Sequence, residues 1–523
     1  MISFIPSWYN SSRIWYSTDN TWFKRSEVMD FDDISTQLRV FLKGNEEMEL
    51  IVLNYSPCLR RFLHRQNVLM TSYWSVFDEI QQIEHDYVRP TNYLELEWPE
   101  DISFHFNPFV VTVQQGAELY ARVFLSREGT LLSIQYYKDS HPIHEHIFDD
   151  RGFLSSILLF DEQGEPDRQD YLRKDGKVIF RESVKTGQVV IQPDYLQQFD
   201  QPKYDGFGEL IQEKLTAHLQ LHNSQTDILV LALHQQHNQM VYDSLDKQTL
   251  ILSLFEGRAN DKFSALVTRA QAIFVDKGQR DQDKSWHGED PSYQNLPTLH
   301  FYAFEDRPTF GESAQETNLY VSLFTDNISL DEIEQVIQAS MKQLAENEKV
   351  HLLLCTFRSF AVDYLAPIRG LAVKYNDILK KMEESSATDN LATEIMGSKK
   401  REDKVHVAFI NRQTELYQTM AKSRVFIDIG EMFNLHLTVE AIDAGVPQVN
   451  RKVNPFCAHK KNGFFIENIS EIEDALDHFL IGLQNWNESL LYMAQLKDHY
   501  TDKQIMARWE SFKEGIVHED SAN

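Results

Sequence analysis

The chain has 523 residues, of which 42% are hydrophobic and 25% are charged, and its formal net charge is −28. This length is more than one hydrophobic core supports, so we expect two or three domains. The negative charge repels phosphate backbones and argues against nucleic acid as a partner. Three widely separated cysteines indicate a reducing compartment and not a disulfide scaffold.

Two features bear on the compartment. The N-terminal sequence MISFIPSWYN has no basic region followed by a long apolar run, so we expect no signal peptide. The longest clean apolar run, ILVLAL from Ile228 to Leu233, is too short to cross a bilayer. Together they predict a cytoplasmic protein.

The chain begins with short apolar runs that alternate with helical patterns. ISFIPSWY at 2–9 and MELIVLNY at 48–55 predict buried strands, and the segment 78–85 has an amphipathic helical pattern. Such alternation predicts a parallel sheet that is covered on both faces by helices.

The pattern changes to period two from Phe104 to about Ile191. Gly152, Gly164 and Gly176 are spaced 12 residues apart and Gly187 follows 11 later, with Asp or Glu close before the first three. Glycine accepts the positive φ that hairpin turns require, so this spacing predicts an antiparallel meander inserted into the first α/β domain.

Helix–strand alternation returns near Tyr204 and continues, after a polar linker at 277–297, into a second α/β unit. We expect its strands at LHFYAF (299–304), LYVSLF (319–324), VHLLLCTF (350–357), VHVAFI (405–410) and RVFIDI (424–429). The predicted organisation is a first Rossmann-like domain at 1–103 and 196–297, an inserted β-sheet domain at 104–195, a second Rossmann-like domain at 298–483, and a helical tail at 484–523 that packs back across the domains.

One motif is specific. SRVFIDIGEMFNLHLTVEAIDAGVPQV (423–449) combines a strand, an acidic loop, and a helix that carries Glu-Ala and ends at Ala-Gly-x-Pro. This arrangement resembles the sugar-nucleotide corner of GT-B glycosyltransferases, an α/β fold of two Rossmann-like domains. The resemblance implies that Glu440 contacts the ribose and that a second Glu, eight positions earlier, contacts the donor sugar. Met432 occupies that position and Glu431 is its neighbour, so the motif departs from the family.

A second departure concerns the nucleotide's two phosphates. The family places an Arg and a Lys after the first strand of the second domain, and such preorganised cations contribute about 3 kcal/mol each to transition-state stability. Between Arg307 and Lys342 the chain has no Lys or Arg. Acidic residues lie there instead, namely Glu312, Glu316, Asp326, Asp331, Glu332 and Glu334. We therefore predict a pseudoenzyme without catalytic residues, cofactor or metal, although Arg358, Arg412 or Arg451 could substitute from other strand ends.

A narrower resemblance covers essentially the whole chain. MISFIPSWY, HRQNVLMTSYWSVFDEIQ (64–81), the glycine-punctuated insertion and the degenerate corner together resemble the family of first accessory Sec system proteins, which serves the export of serine-rich repeat adhesins. The resemblance implies a non-catalytic component that associates with two other accessory Sec proteins, the accessory Sec motor ATPase and the glycosylated adhesin. It also implies at most a peripheral position at the cytoplasmic face of the membrane, held through these partners.

Ligands of open α/β sheets bind outside the carboxyl ends of the strands. This geometry predicts a cleft between the two Rossmann-like domains, with the candidate residues Arg358, Asn411, Arg412, Asn434, His436, His234 and Arg258, to which the GT-B resemblance adds Glu440 and Glu431. Taken singly, most of them are explained as ordinary loop residues, and Glu440 also suits a helix N-terminus. As a set they mark where a glycan or a peptide would bind.

Two alternatives stay open. The chain could be an active retaining glycosyltransferase, with Glu440 on the ribose, Glu431 on the sugar and Arg358 or Arg412 on the phosphates. The cleft could instead hold a glycan or a partner's loop without any chemistry. A metal site at HPIHEH (141–146) is disfavoured, since no nearby Cys or well-placed carboxylate completes it, and solvated edge histidines are expected there.

Overall fold

The computed structural model describes residues 1–10, 13–17, 32–84, 89–255, 264–275, 296–300, 304, 309–358, 361–387, 402–431, 434–454 and 456–519. Its helices are α1 (Asp33–Gly44), α2 (Leu59–Arg65), α3 (Val76–Gln81), α4 (Phe207–Leu221), α5 (Asn238–Ser244), α6 (Ser264–Arg269), α7 (Leu330–Ala339), α8 (Met341–Glu346), α9 (Val362–Ala387), α10 (Gln413–Lys422), α11 (Leu435–Ala444), α12 (Ile472–Leu480), α13 (Gln484–His499) and α14 (Asp502–Glu519).

The first sheet has seven parallel strands. They are β1 (Ile2–Ile5), β2 (Met48–Val52), β3 (Ser72–Ser75), β14 (Ile228–Ala232), β15 (Thr249–Leu254), β16 (Ala272–Val275) and β17 (Thr298–His300). Their spatial order is β17-β16-β15-β14-β1-β2-β3, with every pair parallel. Strands β1, β2, β14, β15 and β16 carry apolar side chains on both faces, and these contribute to two separate hydrophobic clusters, one on each side of the sheet.

The second sheet has ten antiparallel strands, which follow one another in space as they do along the chain. They are β4 (Ile102–Phe106), β5 (Val111–Gln115), β6 (Glu118–Leu125), β7 (Leu131–Lys138), β8 (His141–Phe148), β9 (Leu154–Phe160), β10 (Pro166–Leu172), β11 (Val178–Ser183), β12 (Val189–Ile191) and β13 (Lys203–Tyr204). The predicted meander is confirmed, and all four of its spaced glycines have positive φ, between 76° and 93°.

The third sheet has six parallel strands, in the order β20-β19-β18-β21-β22-β23. They are β18 (Leu319–Phe324), β19 (Val350–Thr356), β20 (Val405–Phe409), β21 (Ser423–Asp428), β22 (Gln448–Asn450) and β23 (Gly463–Phe465). The prediction that LHFYAF opens this sheet is wrong, because β17 pairs with β16 of the first sheet. The apolar pattern of a short strand does not identify its partner strand. The predicted domain boundaries stay predictions.

The ten-stranded sheet packs one face against the first Rossmann-like unit. Tyr55, which follows β2, lies against Tyr171 of β10 with ring centroids 5.0 Å apart, and Phe180 of β11 stacks on Tyr171 at 4.4 Å. A polar network crosses the same junction, since Arg13 donates to Gln169 Oε1 at 2.8 Å and to Glu182 Oε2 at 2.6 Å. Aromatic packing and partly buried hydrogen bonds therefore fix how the insertion sits on the domain.

The two C-terminal helices pack on different units. Met493 of α13 is fully buried in a cluster with Leu435 and Ile442 of α11, in the second unit. Trp509 of α14 is fully buried against Phe41 of α1 and Phe274 of β16, at 5.2 and 5.7 Å between ring centroids, in the first unit. The apolar stripe of the tail is therefore packing surface, as its helical spacing predicts.

Candidate functional site

The candidate site lies at the carboxyl edge of the six-stranded sheet, where β18 ends. Asp326 follows β18, and its carboxylate accepts hydrogen bonds from the backbone N–H of Phe357 at 2.9 Å and from the Thr356 hydroxyl. Arg358 donates Nη2 to the carbonyl of Asp326 at 3.2 Å, and its guanidinium lies 5.1 Å above the Tyr364 ring. An acidic residue bound to the next strand thus lies where the family resemblance places phosphate-binding cations.

The N-terminus of α7, directly after this edge, is capped by its own residues. The Ser329 hydroxyl accepts from the Glu332 N–H at 3.3 Å, and the Glu332 carboxylate accepts from the Ser329 N–H at 2.9 Å, which is a complete capping box. Arg451, after β22, donates Nη2 to Glu332 Oε1 at 2.7 Å. Partial burial raises the pKa of Glu332, but the hydrogen bonds from Ser329 and Arg451 outweigh it and lower this pKa overall.

Glu440 and His436 lie together on α11, the helix of the motif. Asn434 caps α11 by accepting from the Leu437 N–H at 3.1 Å, and all ten residues of the helix are buried. Glu440 is 3% exposed, and its Oε1 accepts from Gln413 Nε2 of α10 at 2.9 Å. His436 Nε2 lies 3.1 Å from the same Gln413 nitrogen and 3.6 Å from Glu440 Oε1. The three side chains form one cluster between α10 and α11, in which His436 and Glu440 are buried and Gln413 is partly exposed.

The loop between β21 and α11 is organised by the last residue of the strand. Asp428 is buried and accepts from the Asn434 N–H at 2.8 Å and from the Gly430 N–H at 3.3 Å. Burial raises the pKa of Asp428, and these two backbone hydrogen bonds oppose that rise. Glu431 is exposed beside this loop, and Met432 lies outside the described residues.

Asn411 and Arg412 lie at the start of α10. The backbone N–H of Asn411 donates to Glu415 Oε2 at 2.7 Å, and the Asn411 side chain is buried. Arg412 is the N-cap residue of α10, without a side-chain cap, and its side chain is exposed. Asn411 therefore contributes to hydrogen bonding at the N-terminus of α10, whereas the Arg412 side chain lies at the surface.

His234 lies in the first unit, two residues beyond β14. Its ring centroid is 4.8 Å from that of Tyr9, and its backbone N–H donates to Asn238 Oδ1 at 3.0 Å. The neighbouring His237 is fully buried, with Nε2 2.7 Å from the carbonyl of Ala232 and Nδ1 2.6 Å from the Tyr9 hydroxyl. A carbonyl only accepts, so Nε2 carries the proton and Nδ1 accepts from Tyr9. Arg258 lies outside the described residues.

Sequence reasoning missed Gln413, the capping role of Glu332 and the pair of Tyr9 with His237. The Ser329-x-x-Glu332 spacing before an apolar helix was an available signal for the cap. Nothing in the sequence pairs Gln413 with Glu440, or Tyr9 with His237, because each contact joins two elements that only the fold brings together.

The histidines of β8 differ from their prediction. β8 is an interior strand between β7 and β9, so His144 and His146 are not edge residues. They are half-buried and stack on each other and on Tyr136, with centroids 4.7 to 4.9 Å apart. Period-two alternation predicts a strand but not its rank in the sheet. Among the described side chains, no three His, Cys, Asp or Glu residues cluster as metal ligands would.

Within the parts of the chain that the structure describes, no helix combines the length and the apolar character needed to cross a bilayer.

Comparison with known proteins identifies the family. The family of the first accessory Sec system protein, accessory secretory protein 1, matches residues 1–515. Two curated relatives carry the same description. The one from Streptococcus gordonii is 30% identical over 532 residues, covering 99% of both chains, and the one from Staphylococcus aureus is 28% identical over 517 residues, covering 98% of both.

Solved structures agree over the full length. A chain of the Glycosylation Associate Protein (Gap123) complex from Streptococcus agalactiae is 32% identical, with a TM-score of 0.79 and coverage of 97% of this chain and 99% of that one. A chain of the accessory secretory protein 1, 2 and 3 structure from Streptococcus pneumoniae is 27% identical, with a TM-score of 0.81 and coverage of 99% and 100%.

The fold is that of GT-B glycosyltransferases, as predicted. The pneumococcal O-GlcNAc transferase GtfA, solved with UDP and GlcNAc, superposes with a TM-score of 0.65 over 99% of both chains at 14% identity, a likeness that concerns the fold alone. With the family matched along 1–515, the chain belongs to the accessory Sec family named above and is a glycosyltransferase-like component of the accessory Sec system.

Proposed function

We propose that this chain is a non-catalytic subunit that assembles with two other accessory Sec proteins to support the export of a glycosylated serine-rich repeat adhesin. Two relatives of matching length and fold are chains of solved structures, one of the Gap123 complex and one of accessory secretory proteins 1, 2 and 3. These structures support the proposed assembly. The accessory Sec motor ATPase, the adhesin and the cytoplasmic location rest on the family resemblance.

One observation carries the non-catalytic assignment. A helix N-terminus can bind a diphosphate only if its N–H groups and nearby cations face the ligand. In this chain Glu332 and Ser329 close the N-terminus of α7, and Arg451 is held by Glu332 at 2.7 Å. A nucleotide would therefore have to displace an internal carboxylate, and its phosphates would meet Asp326 at the same edge.

The buried cluster of α11 supports the same conclusion. A glutamate that binds ribose needs a carboxylate oxygen within reach of the ligand. Glu440 is instead 3% exposed and accepts from Gln413, so we assign it a structural part in joining α10 to α11. The other candidates stay proposals for contact with a polypeptide or glycan: Glu431, Arg358, Asn411, Arg412, Asn434 and His436 in the second unit, and His234 beyond β14 in the first unit.

Calorimetric titration of the purified chain with UDP and with UDP-N-acetylglucosamine tests the assignment. We expect no saturable heat at about 1 mM ligand. This result would mean that any binding free energy is weaker than about −4 kcal/mol. Glu440→Ala and Glu431→Ala provide the matched comparison, and neither should change the result. Saturable binding that Glu440→Ala abolishes, together with sugar transfer to a serine-rich peptide, would establish the active glycosyltransferase alternative instead.

Affinity purification from the native organism tests the assembly. We expect the tagged chain to recover two further accessory Sec proteins in constant ratio, identified by mass spectrometry. The purification is done at low salt, where ion pairs between subunits are not yet screened. Recovery of the chain alone under this condition would contradict the proposal.

A further inference from the structure

The ten-stranded sheet ends at β4 on one side and at β13 on the other, and the two edge strands differ. β13 is two residues long and contains Lys203. β4 is five residues long, contains no Asp, Glu, Lys, Arg or Pro, and pairs with β5 without a register shift. Short length, lysine, proline and bulges are the features that keep an edge strand from pairing with another chain. β13 has two of these features and β4 has none.

The outer side of β4 presents backbone hydrogen-bonding groups. The N–H of Asn107 donates to the Val110 carbonyl at 3.3 Å and closes the turn to β5. Antiparallel pairing alternates from that bond, so the N–H and C=O groups of Ile102, Phe104 and Phe106 point away from β5. Within the described ranges, β4 makes no backbone hydrogen bonds except those with β5. These three residues therefore present donors and acceptors along one open edge.

An edge strand of the same length in the third sheet is closed by its own chain. β20 ends that sheet, and Asn376 of α9 lies against it. Asn376 Nδ2 donates to the Val405 carbonyl at 2.8 Å, and its Oδ1 accepts from the N–H groups of Lys404 and Val405 at 2.9 Å. The backbone of β4 receives no such side chain from the residues that the structure describes. The fold thus satisfies one edge internally and leaves the other to an external partner.

Large apolar side chains lie exposed along the open edge. Phe106 is 70% exposed, and Phe109 in the turn is 61% exposed. Phe104 lies on the same face of β4 as Phe106, and it packs on the cluster around Val113 and on Trp98, with ring centroids 5.5 Å apart. A strand added beside β4 would extend this apolar face and bury part of the Phe106 ring.

The charge around this edge limits what binds there. Residues 102–110 contain no Asp, Glu, Lys or Arg, whereas Glu97, Glu100 and Asp101 precede them and are exposed. This distribution favours an extended segment with apolar side chains and with a Lys or Arg at the end beside Asp101. A second copy of this chain is disfavoured, because each copy carries a net charge of −28. A serine-rich segment has no large side chain to cover Phe106.

We propose that β4 binds an extended segment of one of the two other accessory Sec proteins, which joins the ten-stranded sheet as an eleventh strand. Backbone hydrogen bonds along Ile102–Phe106 provide affinity, and apolar side chains that cover Phe106 provide specificity. The inference rests on the proposed function, which supplies these subunits, and it names the surface that one of them uses.

The test measures amide hydrogen exchange in the full-length chain, alone and mixed with both other accessory Sec proteins of the same organism. We expect the amides of Ile102, Phe104 and Phe106 to exchange fast in the chain alone and at least about tenfold more slowly in the complex. The amides of Ser103 and His105 are the internal reference, because they bond to β5 in both states.

Two substitutions on this edge should weaken assembly about tenfold or more, as measured by calorimetric titration of the chain into its partners. Ile102→Pro removes an outward N–H at the first residue of the strand, where proline is tolerated. Phe106→Lys places a charge at an exposed position and keeps the test decisive if Ile102→Pro fails to fold. Leu221→Lys, at a side chain 75% exposed at the end of α4, is the matched control and should leave assembly unchanged.

Equally fast exchange of the edge amides in the chain alone and in a stable complex would overturn the inference and leave the proposed function. An affinity that Phe106→Lys leaves intact would do the same. So would protection of these amides by a serine-rich peptide, or by dimerisation of the chain alone. Failure of the three proteins to associate would remove the proposed function and this inference together.

Discussion

Arg151 connects the insertion to the first unit through two carboxylates. Its guanidinium donates to both oxygens of Asp78 on α3 at 2.8 Å, and to Asp149 at 2.7 and 2.8 Å. The Arg151 side chain is 6% exposed, so its ion pairs with Asp78 and Asp149 are almost fully shielded from water. Buried charges of this kind fix one geometry, because any other leaves a carboxylate unpaired.

Asp150, beside this network, should make stability depend on pH. Burial, and then the charge of Asp149, raise the pKa of Asp150 to about 7, although the Arg61 N–H and the charges of Arg61 and Arg151 lower it. The unfolded chain releases this proton near pH 3.9, so between about pH 4 and 7 the free energy of unfolding falls as pH rises. We expect Asp150→Asn to flatten that fall in urea unfolding measured at about pH 5 and about pH 8.

Asp167→Asn is the control for this experiment, because its side chain is 52% exposed and should leave the slope as in the native chain. Parallel pH curves for the native protein and Asp150→Asn would contradict the assignment of the titrating group.

At this scale the sequence predicted which residue types matter but not their partners. The helix motif singled out Glu440, and the structure adds its partner Gln413 and its burial, which support the structural part proposed above. Exposure and side-chain pairing arise from tertiary packing, which a motif does not encode.

Among the structural elements, the hairpin turns of the meander share one backbone requirement but differ in surroundings. Gly152 and Gly176 have φ of 93° and 81°. A Cβ on Gly152 would lie 1.7 Å from the Arg89 carbonyl oxygen, whereas a Cβ on Gly176 would meet nothing within 4 Å. One turn is therefore also a close backbone approach between the insertion and the segment that precedes it.

Replacing each glycine by alanine separates these two effects. Gly176→Ala should cost about 1 to 2 kcal/mol of unfolding free energy, the cost of positive φ alone. Gly152→Ala should cost more than about 4 kcal/mol, because the backbone at Arg89 has to move as well. Urea unfolding of both variants measures the difference, and equal losses would mean that the approach of Arg89 is not rigid.

Element type was predictable from the sequence, and element partners were not. Period-two alternation and glycine spacing predicted the meander because its contacts are local, each strand pairing with the next. The sheet that β17 joins and the interior rank of β8 depend on long-range pairing, which short apolar runs leave undetermined.

In the whole molecule, α13 and α14 connect the two Rossmann-like units. Lys497 of α13 lies 3.4 Å from the buried Asp443 of α11, and α14 packs on α1 through Trp509. The backbone N–H of Phe304 donates to the Tyr500 carbonyl between them at 3.3 Å, and the Phe304 ring lies against Phe456 and Tyr500. The tail therefore contributes to the cores of both units.

Trp509→Ala tests this connection. Loss of a fully buried Trp should lower the free energy of unfolding by about 3 to 5 kcal/mol. It should also increase the radius of gyration measured by small-angle scattering, because α14 then packs less tightly on the first unit. Leu491→Ala, at a side chain 66% exposed, should change stability by less than about 0.5 kcal/mol. Similar effects of the two substitutions would contradict the tail's structural part.

Transferases of two lobes hinge open and shut to admit a donor and release a product. Here the terminal helices fasten both lobes, so such a swing would have to break the packing around Phe304, Phe456 and Tyr500. The proposed non-catalytic function requires no such swing. In the proposed assembly, lobes fastened in this way would present neighbouring subunits with a surface whose shape is set before they bind, so association would lose little conformational entropy.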